Sequence, residues 1–415
     1  MFPLSSNSQF AFSLAVTMSL SNGGGANTGE VLRAASQIAP NDFESYSASF
    51  RFLADAIHAA GNSTSTPSAK RDAFFRSASY YRAADFYLRS NLSDPRIYDL
   101  WDRQLADFDA AIALLPSPGK RFNVTSSAGG FDVPIIVYTP ESASPGCQTT
   151  RRPTLLVGSG YDGAQEDLYH TLGIAALARG WNFVTYEGPG QPTVRRQQGL
   201  GFRPDWWTVV TPVIDFLLAR PDVDPAALAL VGESFGGILA PRAASREDRL
   251  AAVLCIDGLN SMQDVILAEL PSQLNAIFTA GNQSVFDELM DEAWRSNETD
   301  TTFRWLIGQG LFTFATDSPY QWLTEMGAFN VEDVQANITV PVFVGSGQDD
   351  QSTKGQAEIV RDMLGDRAYY HLFKEDVGAG EHCQIGAEGQ LAQVAYDWLE
   401  GVFAGARTGN GTHIG

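Results

Sequence analysis

Three patterns of apolar and polar positions divide the chain. Over 28–115 the apolar residues recur at three- and four-residue steps, which predicts helices. Pro95 follows Ser93 and Asp94, a capping residue and then proline where a helix should begin. Beyond it Ile97, Leu100, Trp101, Leu105, Phe108, Ile112 and Leu115 fall on one stripe. Thr66 before Pro67 opens an earlier helix carrying Phe74, Phe75, Tyr80, Tyr81, Phe86 and Tyr87, rings that read first as core. The second pattern alternates β-rich runs with helical stretches. It predicts strands over 121–126, 133–138, 154–157, 183–186, 228–231, 252–256, 340–344 and 369–373. Several are unbroken apolar runs, as strands buried on both faces should be. Helical crossovers between them imply a mostly parallel sheet with an antiparallel edge from the two early strands. The third pattern, from 261 to 335, has few strand signals and many aromatics, among them Phe286, Trp294, Trp305 and Trp322. It reads as a helical lid inserted into the sheet and packed over its C-terminal edge.

These boundaries predict a helical N-terminal region (28–117), a core in two parts (118–260 and 336–405) and the lid between them. The flanks, 1–27 and 406–415, are expected to be flexible. The first of them holds a short apolar run from Phe10 to Leu20, similar to a weak signal segment but without a basic start.

Composition narrows the function. With 44% hydrophobic and 18% charged residues, the 415-residue chain can bury a sizeable core. Acids outnumber bases 48 to 28, a formal charge of −20 that argues against a nucleic-acid or anionic-membrane partner. No apolar run reaches the length of a membrane span. Three cysteines, Cys147, Cys255 and Cys383, leave room for one disulfide and form no CxxC pair, so no metal site and no cofactor is expected. Seven Asn-x-Ser/Thr sequons stand where chance gives about two. With only four lysines and a low pI, they tilt the expected location toward the secretory pathway over the cytosol.

The chemistry is concentrated in LALVGESFGG. An apolar strand runs into Gly232-Glu233-Ser234-Phe235-Gly236, and a helix-compatible stretch follows. This is the G-x-S-x-G nucleophile elbow: a turn so sharp that its neighbours must be small, with the serine lifted above the sheet. Serine needs a base, and the expected order is Ser, then an acid, then His. Of five histidines, His58 and His170 precede the serine, His413 lies in a Gly-rich tail and His371 falls inside the last strand. His382, in the loop GAGEHCQIG before the terminal helix, is the expected base. The acid should end the strand after the insertion, where Asp349 and Asp350 stand; position favours Asp350, and Asp257 is a weaker substitute. In GSGYDGAQEDLY, Gly158 and Gly160 permit close backbone approach, and the Tyr161 N–H would pair with that of Phe235 as an oxyanion hole. Asp162 with Gln165 resembles a capping box. The crossover YEGPGQ (186–191) reads as turn geometry at the catalytic edge.

Together GSGYDGAQEDLY, YEGPGQ, GFRPDWW, RPDVDPAALALVGESFGG and GAGEHCQIGA resemble fungal α/β-hydrolases related to 2,6-dihydropseudooxynicotine hydrolase. That group includes polyketide-shortening hydrolases of melanin pathways and hydrolases of fusarin- and cytochalasan-type clusters. The resemblance spans 30–403. It implies an α/β-hydrolase fold with a helical N-terminal region and an inserted lid, the triad Ser234, Asp350 and His382, and an oxyanion hole at Tyr161 and Phe235. It implies a small-molecule substrate, a polyketide or polyketide–amino-acid intermediate cleaved at a C–C, ester or amide bond. A general carboxylesterase or lactonase, a cyclisation catalyst and a hydrolase-derived ligand receptor are the rival readings. Several members pair through their N-terminal helices, which implies a homodimer. Some carry an extra glutamate about thirty residues after the nucleophile; here Asp264 is nearest that spacing. Pro192 after GPGQ departs from the Gly-Glu common in the group.

Overall fold

A computed structural model describes residues 3–141 and 151–408. Its described residues divide into two units: one of 3–119, 169–171 and 271–322, and one of 120–141, 151–168, 172–270 and 323–408.

The first unit is helical. Its N-terminal helices are α1 (Ser8–Ser19), α2 (Thr28–Ala35), α3 (Phe43–Ser63), α4 (Pro67–Asp85) and α5 (Arg96–Ile112). Pro67 opens α4 and Pro95 precedes α5, where proline's fixed φ and missing N–H cost nothing. The α5 stripe buries Ile97, Leu100, Trp101, Phe108 and Ile112 as its spacing predicts. It also buries Gln104 and Asp107, which the apolar pattern does not foresee. Asp107 is buried with partners: Ser77 of α4 donates to it at 2.5 Å and His58 of α3 lies 2.8 Å away, so one carboxylate ties three helices. His170 is buried against Phe75 and Phe108, and its Nδ1–H donates to the Gly23 carbonyl.

The N-terminal stretch corrects the expectation of a flexible segment. Asn7 caps α1 by accepting from the Phe10 N–H, and Phe10 and Leu14 are fully buried. Phe10 packs between Phe43, Tyr46 and Tyr87 at centroid distances of 5.0–6.1 Å. Its apolar run is core rather than tail. The central part of the insertion belongs to this unit too: Trp305, on the helix Thr301–Phe314, stacks on Phe86 at 5.7 Å.

The second unit holds the sheet. Its strands are β1 (Lys120–Ser126), β2 (Phe131–Tyr138), β3 (Arg152–Gly158), β4 (Asn182–Tyr186), β5 (Val223–Glu233), β6 (Ala252–Ile256), β7 (Val342–Gly347) and β8 (Ala368–Phe373). Among the described residues their order is β1-β2-β4-β3-β5-β6-β7-β8. The β1 and β2 strands run antiparallel to each other, β2 is antiparallel to β4, and the rest are parallel. Each predicted strand has its counterpart. The centre, from β4 to β7, is buried on both faces, which explains its unbroken apolar runs. In an open parallel sheet, functional groups gather beyond the carboxyl ends of the strands. No helix among the described residues is long and apolar enough to cross a membrane.

Replacing Phe10 by Ala should remove about 3–5 kcal/mol of unfolding free energy, read from urea denaturation. An unchanged midpoint would show that α1 does not anchor the helical unit.

Candidate active site

The β5 strand ends at Glu233 and the helix Gly236–Ala244 begins after only two intervening residues, so the chain reverses over Ser234. Ser234 adopts φ +59°, a left-handed conformation that costs a non-glycine residue about 1 kcal/mol or more. The surroundings enforce it. A Cβ on Gly232 would stand 2.0 Å from the Gly236 carbonyl oxygen, so only glycine lets the strand meet the helix this closely. The Ser234 N–H donates to the Ile256 carbonyl on the neighbouring strand.

Two further strand ends deliver the partners. Asp350 follows β7, and His382 stands in a 3₁₀ turn after β8. Nδ1 of His382 donates to Asp350 Oδ2 at 2.8 Å, and Nε2 lies 2.9 Å from Ser234 Oγ, placed to accept its proton. The three residues form a continuous chain of hydrogen bonds between groups 116 and 148 positions removed from Ser234 in sequence (350 − 234 and 382 − 234). Asp350 is 4% exposed and carries further donors: the N–H groups of Ser352 and Thr353 and the Thr353 hydroxyl. Burial alone would raise its pKa. The His382 ring and these hydrogen bonds outweigh that and hold it well below the carboxylate range. For His382 burial opposes the charged ring, yet neighbouring Cys383 and the Asp350 carboxylate raise its pKa well above the ordinary value. Asp349 uses its backbone N–H on the Gly380 carbonyl and does not bond the ring.

The loop after β3 comes against the elbow. A Cβ on Gly160 would lie 2.7 Å from the Phe235 nitrogen and 2.8 Å from Ser234 Cβ, so its lack of a side chain lets the loop backbone come against the elbow. The Phe235 ring is fixed by Tyr161, Phe202 and Phe329 at 5.3–5.9 Å. Phe202 comes from the GFRPDWW motif, whose Trp206 donates Nε1–H to the Tyr186 hydroxyl.

No protein-family model matches the chain. In sequence it is similar to the hydrolase acrC of Aspergillus aculeatus, with 27% identity over 97% of this chain and 98% of that one. It is likewise 27% identical to the 20-hydroxy-prefusarin hydrolase FUS2 of Gibberella moniliformis, over 92% of this chain and 93% of that enzyme. In three dimensions it matches the crystal structure of the 2,6-dihydroxy-pseudo-oxynicotine hydrolase with a TM-score of 0.68 at 19% identity, covering 94% of this chain and 95% of that one.

The chain has the α/β-hydrolase fold. It is related in sequence to fungal hydrolases, as its motifs imply.

Within this α/β-hydrolase fold the YEGPGQ crossover does more than turn the chain. Gln191, fully buried, donates from Nε2 to the carbonyls of Ser159 (2.7 Å) and Gly160 (3.3 Å) and accepts the Gly188 N–H at 2.8 Å. Glu187, also fully buried, accepts the N–H groups of Gln165 (3.1 Å) and Thr193 (2.7 Å). Burial, with Glu166 nearby, pushes the Glu187 carboxyl up to about 7. The pair clamps the loop that carries Tyr161. This also corrects the capping box expected at Asp162: the Gln165 N–H goes to Glu187, and its side-chain oxygen accepts from Thr185. Nothing in the local sequence distinguishes a clamp from a turn, because the partners on the clamped loop lie 22 to 32 residues upstream.

Asp264 is exposed in the first turn of the helix Met262–Glu269, without a bond to Ser234, Asp350 or His382. His371 sits half-buried in β8, and His413 and Cys147 lie outside the described residues. Cys255 and Cys383 are free and buried. Among the described residues Asp257, His382 and Cys383 bring potential metal donors within 4.8 Å of one another. Their existing hydrogen bonds, to Asp350 from the ring and to the Ile256 carbonyl from the thiol, would compete with such a ligand.

Gln191→Leu keeps the volume but strands three buried backbone groups. It should lower unfolding free energy by about 1–3 kcal/mol in a denaturant titration, and equal midpoints for variant and parent would remove the clamp from the account.

Proposed function

We propose that this protein is a serine hydrolase in which Ser234 is the nucleophile, His382 the general base and Asp350 the acid that orients the ring. The observation that carries the reading is the chain of hydrogen bonds from Asp350 through His382 to Ser234, at 2.8 and 2.9 Å. Ser234 Oγ attacks a substrate carbonyl while His382 Nε2 takes its proton. Charge that develops on the carbonyl oxygen is met by the backbone N–H groups of Tyr161 and Phe235. His382 then returns the proton to the leaving group. Water, activated by the same ring, releases the acyl group from Ser234.

The substrate is a carbonyl-containing small molecule of fungal secondary metabolism, of polyketide or polyketide–amino-acid type. The relation to an enzyme named for 20-hydroxy-prefusarin supports that class. The scissile bond is an ester, an amide or a C–C bond. The last is open to this machinery when a β-carbonyl lets the departing carbanion leave as an enolate.

Ser234→Ala should abolish turnover and labelling by a fluorophosphonate probe while the protein stays folded. Asp350→Asn should lower kcat by about 10⁴-fold, while Asp349→Asn leaves it nearly unchanged; the reverse ranking would move the acid by one position. His382 must be neutral to accept a proton, and its pKa is raised above the ordinary 6.5. The acid limb of kcat/KM should therefore lie above pH 6.5, and a plateau extending well below that pH would exclude His382 as the base.

A further inference from the structure

The loop that delivers His382 is strained at two consecutive residues. Cys383 and Gln384 have φ of +51° and +54°, the left-handed region that side-chain-bearing residues avoid at a cost of about 1 kcal/mol or more each. Both are buried. A backbone held in this way requires strong local partners, and one carboxylate supplies them. Asp257, at the carboxyl end of β6 and 1% exposed, accepts the Cys383 N–H through Oδ2 at 2.8 Å and the Gln384 Nε2–H through Oδ1 at 2.8 Å. The Cys383 thiol adds a bond to the Ile256 carbonyl, one residue before Asp257. The same Oδ2 lies 3.6 Å from His382 Nδ1, outside hydrogen-bond range but close enough to be felt as charge.

We propose that Asp257 is a positioning residue for the proposed catalytic histidine: a second carboxylate, distinct from Asp350, that fixes the left-handed turn at Cys383–Gln384 and so keeps the ring between Asp350 and Ser234. The proposal rests on the Ser234–His382–Asp350 reading. It assigns Asp257 no proton transfer and no contact with substrate. Its two oxygens are each committed to the loop, whereas Asp350 bonds the ring directly. A 2.8 Å bond to the backbone of the residue next to His382 leaves the ring little freedom to swing from Ser234. Displacement of a reacting group by about 1 Å can cost about 10²-fold in rate.

The carboxylate also acts electrostatically. The titratable groups around the ring are Asp350 after β7, Asp257 after β6, Glu233 at the end of β5 and the adjacent Cys383. Burial pushes the Asp257 carboxyl up to about 6 while the His382 ring draws it down, so above that pH it is ionised and favours the imidazolium; removing this charge should move the acid limb of kcat/KM to lower pH. Loss of packing alone leaves that limb in place.

The test compares Asp257→Asn and Gln384→Met with the parent full-length enzyme, on any ester that the parent hydrolyses, with thermal unfolding as a check on folding. Asp257→Asn should lower kcat by about 10- to 100-fold with KM within about threefold. Its acid limb should fall by about half a pH unit or more. Gln384→Met keeps the carboxylate and breaks one tether, so kcat should drop by about 5- to 10-fold with the limb unmoved; this variant carries the test if Asp257→Asn does not fold. Parent-like kcat in both variants, or an unmoved limb in a folded Asp257→Asn protein, overturns the proposal while an inactive Ser234→Ala control leaves the triad standing. An active Ser234→Ala control overturns both.

Discussion

A carboxylate and an imidazole meet at 2.8 Å in surroundings where burial opposes the charge on each. An isolated charge at such a place would be lost to a pKa shift, so the contact persists only because each group stabilises the other and further donors fill the remaining lone pairs. Thr353 and two backbone N–H groups do this for Asp350. The bond sets the imidazole's tautomer and orientation, and the other ring nitrogen is then left facing Ser234. Displacing the ring would leave Asp350 buried without its main counter-charge, which makes the arrangement self-enforcing.

Around that pair the structure places backbone strain where geometry demands it and buried polar side chains where the strain must be held. Ser234, Cys383 and Gln384 are all left-handed. The elbow is held by glycine contacts and a bond to β6, and the histidine turn by Asp257. The loop carrying Tyr161 is secured by Gln191 and Glu187. These supports are side chains with fixed partners, and they stand at the ends of buried strands. A site of this kind needs little reorganisation as charge develops, the property that electrostatic catalysis requires.

Much of this is legible in the sequence. The strand runs could be read because the central sheet is buried on both faces, so its segments are apolar without interruption. Ser234 could be read because the elbow constrains neighbours in sequence: Gly232, Gly236 and the preceding strand leave a local trace. His382 is legible by elimination among five histidines, and Asp350 by its distance from the strand end. Less visible were the buried Gln104 and Asp107 on α5 and the packing of Phe10. An apolar stripe does not announce polar residues paired across helices, and a short apolar run looks the same in a tail and in a core.

Sequence alone determined the strands of the sheet and their order along the chain, and it singled out Ser234, Asp350 and His382, which the fold brings together. Those properties depend on periodicity and on neighbours a few residues apart, which a chain displays directly. Only the tertiary structure decided how the site is held. Asp257 meets Gln384 across 127 residues, Gln191 meets Ser159 across 32, and His58 meets Asp107 across 49. Such pairs are made by strand order and loop closure, so their members look, in the chain, like any other acid or amide. Tertiary contact also turned a glycine-proline crossover into a clamp, and it made Asp257, legible in the chain only as a substitute acid, the partner of the turn that carries the histidine. The reason is physical: a buried polar group must find its partner in space, and sequence separation places no limit on where that partner lies.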